Sequence, residues 1–322
     1  MNQVNRSNFI KVERNSILYS INESEHTASI FSYSNANGDI IIPCSIYYES
    51  EEYVITSILS NAFNGAEFLH SIQFSDDSEI RTIEKDAFYR SSIEILSIPK
   101  SVTELKDEWC NETTKLTTIQ VSPENPYFKF FEDKFLIGKT KPEQSNFDVL
   151  YFCSRNIKSV KIPEFIEVIN TSAFDECIQL HDIEISSESR LKIIRKYAFT
   201  CSSIESITIP SSVSELQDLW CSETHKIKRI NVDPENPFYK SYDDRFIIGK
   251  SNPEQENFDV LVFCSRNVDE VTIPDFIEII GPSSFEQCIK LRSIKIPPKV
   301  KRICENAFHS CKQLKYVEIP SN

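Results

Sequence analysis

Two groupings in this chain carry the side chains that nucleophilic or metal chemistry needs. Cys221 and His225 stand four residues apart, and a thiol beside an imidazole is how a thiolate nucleophile is made. Cys304, His309 and Cys311 offer three soft donors in a short stretch, the donor type that zinc prefers. Each reading weakens against its context. A matching segment earlier in the chain keeps the cysteine, as Cys110, but has Thr114 where the histidine would stand. Cys221 and His225 therefore read as a cysteine and a loop histidine. The spacing of Cys304, His309 and Cys311 matches no standard zinc pattern. There is no Gly-rich phosphate loop and no H-E-x-x-H,. The sequence thus names no catalytic residue, no cofactor and no metal site, and an enzyme or metal-binding protein stands as the third alternative below.

The elements that would position such groups repeat. Short alternating runs such as Ile204-Glu205-Ser206-Ile207-Thr208-Ile209-Pro210 begin at Leu69, Ile93, Leu116, Ile157, Leu180, Ile204, Ile227, Val268, Leu291 and Leu314. Successive starts are 24, 23, 41, 23, 24, 23, 41, 23 and 23 residues apart. A fixed period of this size is the signature of a solenoid. Each run puts its apolar residues on one face, because side chains alternate along a strand. The proline has no N–H for the ladder and ends the strand. An Ala-Phe pair follows, and Phe63, Phe88, Phe174, Phe199, Phe285 and Phe308 are expected to stack as a ladder inside the coil.

A longer period overlies the first. Trp109 and Trp220, Pro123 and Pro234, and Cys153 and Cys264 each stand 111 residues apart. PENP, NFDVL and FCSRN occur in both copies. The expected organisation is an N-terminal β-hairpin cap over 1–56 and a solenoid over 57–322. The solenoid contains a duplicated block at 80–190 and 191–301. Ile17–Ile21 and Ala28–Tyr33 read as the cap's strands, and Asn37-Gly38-Asp39 as a turn. Each 41-residue spacing is a turn of the coil plus an inserted hairpin, at about 123–153 and 234–264. Trp109 and Trp220 take the place of Ala-Phe, which favours core filling over exposed anchors.

Composition narrows the function. The net charge is −13. A nucleic-acid surface would need a basic stripe, so that partner is not expected. No apolar run reaches membrane-spanning length, and the first residues lack a signal-peptide core, so no membrane insertion is expected. The ten cysteines include Cys177, Cys288 and Cys311, each three residues after a Phe. That repeat position suggests a small apolar filler, though disulfides between neighbouring turns stay open. N-x-[ST] matches occur at Asn5, Asn22, Asn111 and Asn170.

The pattern IP-x-x-[VI]-x-x-I-x-x-x-[AS]F-x-x-C-x-x-L in 162–180, 273–291 and 296–314 resembles the BspA-type leucine-rich repeats, the LRR-5 group. The NP-x-[FY]-K motif at Asn125–Lys129 and Asn236–Lys240 resembles inserts of protist members. The resemblance implies an α/β or mostly β repeat solenoid. It would be a right-handed coil with a parallel sheet on one face, short helical or irregular returns, and two inserted β-hairpins. It also implies a surface antigen or adhesin that binds a host-surface or matrix protein. The absent leader points instead to a cytoplasmic protein, so an intracellular structural scaffold is the second reading.

The residues flanking the middle apolar position of each strand should face outward and form two columns. They include Ser159, Lys161, Asp182, Glu184, Ser206, Thr208, Arg229, Asn231, Glu270, Thr272, Ser293 and Lys295, and earlier in the chain Ser71 and Gln73. These columns, mixed in charge and mostly small, suit a protein or glycan partner. The alternative is that they only keep the sheet soluble. The sequence leaves the oligomeric state open.

Overall fold

The computed structural model describes residues 10–34 and 37–320, as two compact units, 1–147 and 148–322. Asn5 lies outside the described residues. Both units are built from strands and turns. No helix occurs among the described residues, so no helix is long and apolar enough to cross a membrane. The fold is a mostly β parallel solenoid.

In the first unit the strand face is one parallel sheet, Asn37–Ile42, Phe68–Phe74, Ile95–Ile98 and Thr118–Val121. The segment read as a turn at Asn37–Asp39 begins the first of these strands. Its register slips between Gly38 and Asp39, and Gly38 has φ +69°, a conformation open to glycine at no steric cost. The returns form a second sheet. There Ile10–Arg14, Ile17–Asn22 and Thr27–Tyr33 are antiparallel, and Thr27–Tyr33 then pairs in parallel with Glu51–Ile58. Glu51–Ile58 runs through residue 56, where the sequence suggested a boundary.

The second unit repeats the plan. Ser159–Lys161, Asp182–Glu184, Ser206–Ile209 and Arg229–Val232 form one strand-face sheet. Glu270–Thr272, Ser293–Lys295 and Tyr316–Glu318 form another. The return side carries two-residue strands such as Val168–Ile169, Ile193–Ile194 and Glu215–Leu216. The returns are therefore turns and short strands.

The Ala-Phe turn is what repeats. The Phe N–H donates to the next turn's carbonyl: Phe174 to Ala198 at 2.8 Å, Phe199 to Trp220 at 2.9 Å, Phe285 to Ala307 at 2.8 Å. The rings stack in step. Centroids are 5.5 Å apart for Phe63–Phe88, 4.9 Å for Phe174–Phe199 and 5.0 Å for Phe285–Phe308. Trp109 and Trp220 are buried and meet Phe88 and Phe199 edge-on, at 6.2 and 6.1 Å. The turn has a conformational cost. Non-glycine residues on either side of the pair sit at positive φ, as at Tyr197 (60°) and Cys201 (54°) around Ala198-Phe199, or Ser283 (51°) and Gln287 (58°) around Ser284-Phe285. Each such residue costs roughly 1–2 kcal/mol, and the cross-turn bonds and ring burial offset it.

Phe199→Ala is expected to destabilise the protein by about 3–5 kcal/mol. Hydrogen exchange should show the loss concentrated in the turns around Phe174 and Trp220. A uniform loss along the unit would contradict turn-by-turn stacking.

Candidate binding surface

Neither chemical grouping assembles. Cys221 is buried while His225 is exposed, and burial pushes the Cys221 thiol up to about 12, which is the wrong direction for a nucleophile. Cys304, His309 and Cys311 do not converge. Cys311 Sγ donates to Phe285 O at 3.0 Å. Among the described residues, the trio whose ligand atoms come within 4.8 Å of one another is Asp175, Glu176 and Cys201. Burial, then the charges of Glu176 and Glu223, push the Cys201 thiol far up. It stays protonated and donates to Glu223 Oε2 at 3.4 Å. No disulfide joins cysteines among the described residues. Asn170 is 3% exposed, and its Oδ1 accepts from Arg195 at 2.7 Å, so that N-x-[ST] match is turned inward.

Two duplicated motifs prove to be fasteners. Asn236 of PENP is buried and uses both ends of its amide. Nδ2 donates to Pro210 O and Val213 O at 2.8 and 2.9 Å, and Oδ1 accepts from the N–H groups of Phe238 and Tyr239 at 2.8 Å. Asn125 makes the same four bonds in the first unit. The arginine of FCSRN lies inside the coil. Arg155 and Arg266 are 2% and 5% exposed. Each guanidinium stacks on the preceding Phe, at 4.5 Å from the Phe152 ring and 4.4 Å from the Phe263 ring. Arg266 donates to Ser284 O at 3.2 Å, and Arg155 to the carbonyls of Cys153 and Ala173 at 3.3 Å. The Cys288 thiol beside Arg266 is pulled below its ordinary value by a hydrogen bond with Cys264, against burial, with help from the Arg266 charge.

The twelve strand-face residues from Ser159 to Lys295 are all exposed. Between them Val160, Ile207, Ile230, Val271 and Ile294 are buried. Ser71, expected outside, is 2% exposed and donates to Asp39 Oδ1 at 2.5 Å, because the slip at Gly38 brings Asp39 against it. Register puts Ser159, Asp182, Ser206 and Arg229 in one row across four strands. Lys161 pairs with Glu184 at 3.2 Å and Lys295 with Glu318 at 2.6 Å. Asp182 and Arg229 have no such partner among the described residues. They sit two strands apart, about 10 Å at normal sheet spacing. The columns are not continuous. No backbone hydrogen bond joins Arg229–Val232 to Glu270–Thr272 among the described residues.

The insert explains the interruption. Tyr239–Tyr242 pairs with Phe246–Gly249, which pairs with Val260–Cys264, all antiparallel. Val260–Cys264 then runs parallel to Ile279–Ile280. The sequence indicated the last two strands. The first, aromatic and only half alternating, was missed. Ser241 Oγ on this strand accepts from Val232 N at 2.8 Å, where the next strand of the face would otherwise bond. The loop between the second and third strands is tied by Asp259. Its carboxylate accepts from Ser251 N at 2.9 Å, Ser251 Oγ at 2.6 Å and Gln255 Nε2 at 2.6 Å. Burial raises its pKa, but the serine and glutamine bonds outweigh this and hold it below the ordinary carboxylate value.

A coil of parallel strands whose returns carry a recurring phenylalanine turn defines a leucine-rich repeat protein. The sequence profile of the BspA type leucine rich repeat region matches residues 29–130, 145–242 and 256–322 in six copies, and the chain belongs to that family. Similar solved structures include a leucine-rich repeat protein from Eubacterium ventriosum, with 18% identity, TM-score 0.53, and 94% of this chain and 88% of that one covered. The pneumococcal vaccine antigen PcpA has 18% identity and TM-score 0.51, covering 97% and 70%. A leucine rich cell surface protein of Faecalibacterium prausnitzii has 17% identity and TM-score 0.49, covering 97% and 95%. At these identities the likeness is one of fold. No curated protein sequence matches the chain.

A depressed folded pKa makes the Asp259 contribution present above the unfolded value of about 3.9 and lost as pH falls through the folded value. The Ser251 amide resonance should therefore titrate with a midpoint below about 3.9. A midpoint at or above that value would mean the bonds to Asp259 do not form.

Proposed function

We propose that the chain is a non-enzymatic recognition module that binds another protein through the strand face of residues 159–232. The observation that carries this reading is the row Ser159, Asp182, Ser206, Arg229. Two opposite charges lacking an ion-pair partner are held on rigid strands with only small side chains between them. Ser206 leaves the space above the sheet open. The neighbouring pair Lys161 and Glu184 is already self-neutralised and contributes shape more than charge. An interface gains specificity and on-rate from complementary charge of this kind. Parallel strands present it as a fixed template, the mode repeat proteins use. The face from Glu270 to Lys295 belongs to a separate sheet and extends the surface only if a partner crosses the interruption.

Adhesion at a cell surface, to a host or matrix protein, is the fuller form of this reading and rests on the family. The proposed organisation keeps an N-terminal cap and a duplicated block, with one refinement. Ile10–Tyr33 and Tyr239–Cys264 have the same plan, three antiparallel strands whose last joins the parallel returns. The second insert is accordingly an internal cap from which a new stretch of coil begins.

The test is adhesion of fluorescent beads coated with the full chain to cells or immobilised matrix proteins. Asp182→Lys and Arg229→Glu should each lower binding at least tenfold, about 1.4 kcal/mol. Glu270→Lys should have a smaller effect. Unchanged binding in both central variants, with folded spectra retained, would move the site off this face.

A further inference from the structure

A cleft beside the second insert lies apart from the strand-face row. It has a volume of about 490 Å³, within the roughly 300–1,000 Å³ typical of small-ligand sites. One wall is the insert, with Lys240, Asn257 and Phe258. The other is formed by the turns that follow, with Phe276, Glu278 and Lys299.

Its lining holds two lysines that no carboxylate among the described residues pairs with. The chain carries −13 overall. Three carboxylates line the cleft, and two of them have partners. Asp259 accepts from Ser251 and Gln255, and Glu278 is paired with Lys301 at 2.7 Å. Glu256 and the hydrogen-bonded Asp259 are the negative charges left opposite Lys240 and Lys299. Neither lysine has a carboxylate at ion-pair distance among the described residues. Lys240 Nζ is held 4.7 Å from the centre of the Phe258 ring, so an aromatic face, not an anion, anchors that cation. An anion entering here meets two ammonium groups that have no ion-pair partner among the described residues.

An exposed ring, Phe276, lines the cleft, and Tyr242 stands beside it. Phe276 and Tyr242 are each 39% exposed and meet edge-on, centroids 5.4 Å apart at 75°. The negative face of such a ring attracts positively polarised C–H groups, which a pyranose presents on one side. Lysine acts as a point charge without the fixed fork of arginine, and so suits a carboxylate or sulfate reached from a rigid ring. An extended peptide would instead need a row of pockets at alternate residues, and the cleft is a single compact one.

We propose that this cleft binds an acidic saccharide. One sugar ring lies against Phe276 and Tyr242, and its carboxylate or sulfate sits between Lys240 and Lys299. The first copy of the insert tells what sets the preference. Lys129, Phe131, Asn146, Phe147 and Phe165 stand 111 residues before Lys240, Tyr242, Asn257, Phe258 and Phe276, but Lys299 is matched by Glu188. The second cation is therefore peculiar to the later copy, and the acid preference goes with it. This inference does not depend on the strand-face reading.

The experiment is amide NMR or calorimetric titration of the full chain with trigalacturonate and, separately, a heparin-derived tetrasaccharide. Maltotriose and a tri-glutamate peptide serve as comparisons. The expected result is that at least one acidic saccharide binds, with shifts confined to residues around Asn257, Phe276 and Lys299. Lys299→Glu and Phe276→Ala should each weaken it at least tenfold, while Asp182→Lys leaves it unchanged. Which of the two acidic probes binds distinguishes a carboxylated from a sulfated ligand. The proposal is overturned if neither acidic saccharide binds, if maltotriose binds equally well, or if tri-glutamate binds more tightly than both. It is also overturned if Lys299→Glu, a surface change that leaves the core intact, has no effect.

Discussion

A phenylalanine amide reaching across to the carbonyl of the next turn fixes the spacing on which everything else in this protein depends. The bond is short and repeated, and the ring of the same residue stacks on its counterpart one turn away. An isolated turn would leave that amide and that ring in water. It would also keep the strain of its two left-handed residues without compensation. With a neighbour present, the same groups are satisfied together, so the fold is cooperative between adjacent turns and weakly coupled beyond them. The strand face inherits its regularity from this. Residues on successive strands fall into rows because the turns that space them are identical.

Where the regular return is replaced, the consequences spread to the face. The insert brings its own three strands, and Ser241 takes the Val232 amide that a following strand would have used. Asn236 locks the start of the insert to the turn before it, and Arg266 fills the interior where an Ala-Phe turn is missing. A buried guanidinium is costly without partners. Here the Phe263 ring and the Ser284 carbonyl supply them, with thiols of Cys264 and Cys288 nearby. Arg155 repeats the arrangement on Phe152. This accounts for FCSRN and PENP recurring in both copies without any chemistry of their own.

Much of this was legible in the sequence because its cause is local. Alternation of Ile204, Ile207 and Ile209 with Ser206 and Thr208 states which side of the strand is buried. The 23- and 24-residue period places those residues in rows, and the substitution of Trp109 and Trp220 for Ala-Phe predicts their burial. Other features depend on tertiary contacts and left no local mark. The left-handed positions are occupied by Tyr197, Cys201 or Gln287, and glycine marks this position at Gly65 but not in these later turns. Tyr239–Tyr242 alternates only in part, because its pattern is set by the hairpin it joins. The burial of Arg155 and Arg266 runs against residue-type expectation. The break between Arg229–Val232 and Glu270–Thr272 could not be inferred, since both runs carry the same motif. For the candidate surface, exposure was readable, whereas the self-pairing of Lys161 with Glu184 and the isolation of Asp182 and Arg229 needed register.

The account stands on the cross-turn bond, and amide hydrogen exchange of the intact chain measures that bond directly. The N–H groups of Phe174, Phe199 and Phe285 should be among the slowest to exchange in their unit, far slower than those of the insert loop at Asn252–Asn257. If these three amides exchange as fast as that loop, the turns are not joined in the way described and the rows of the strand face lose their basis.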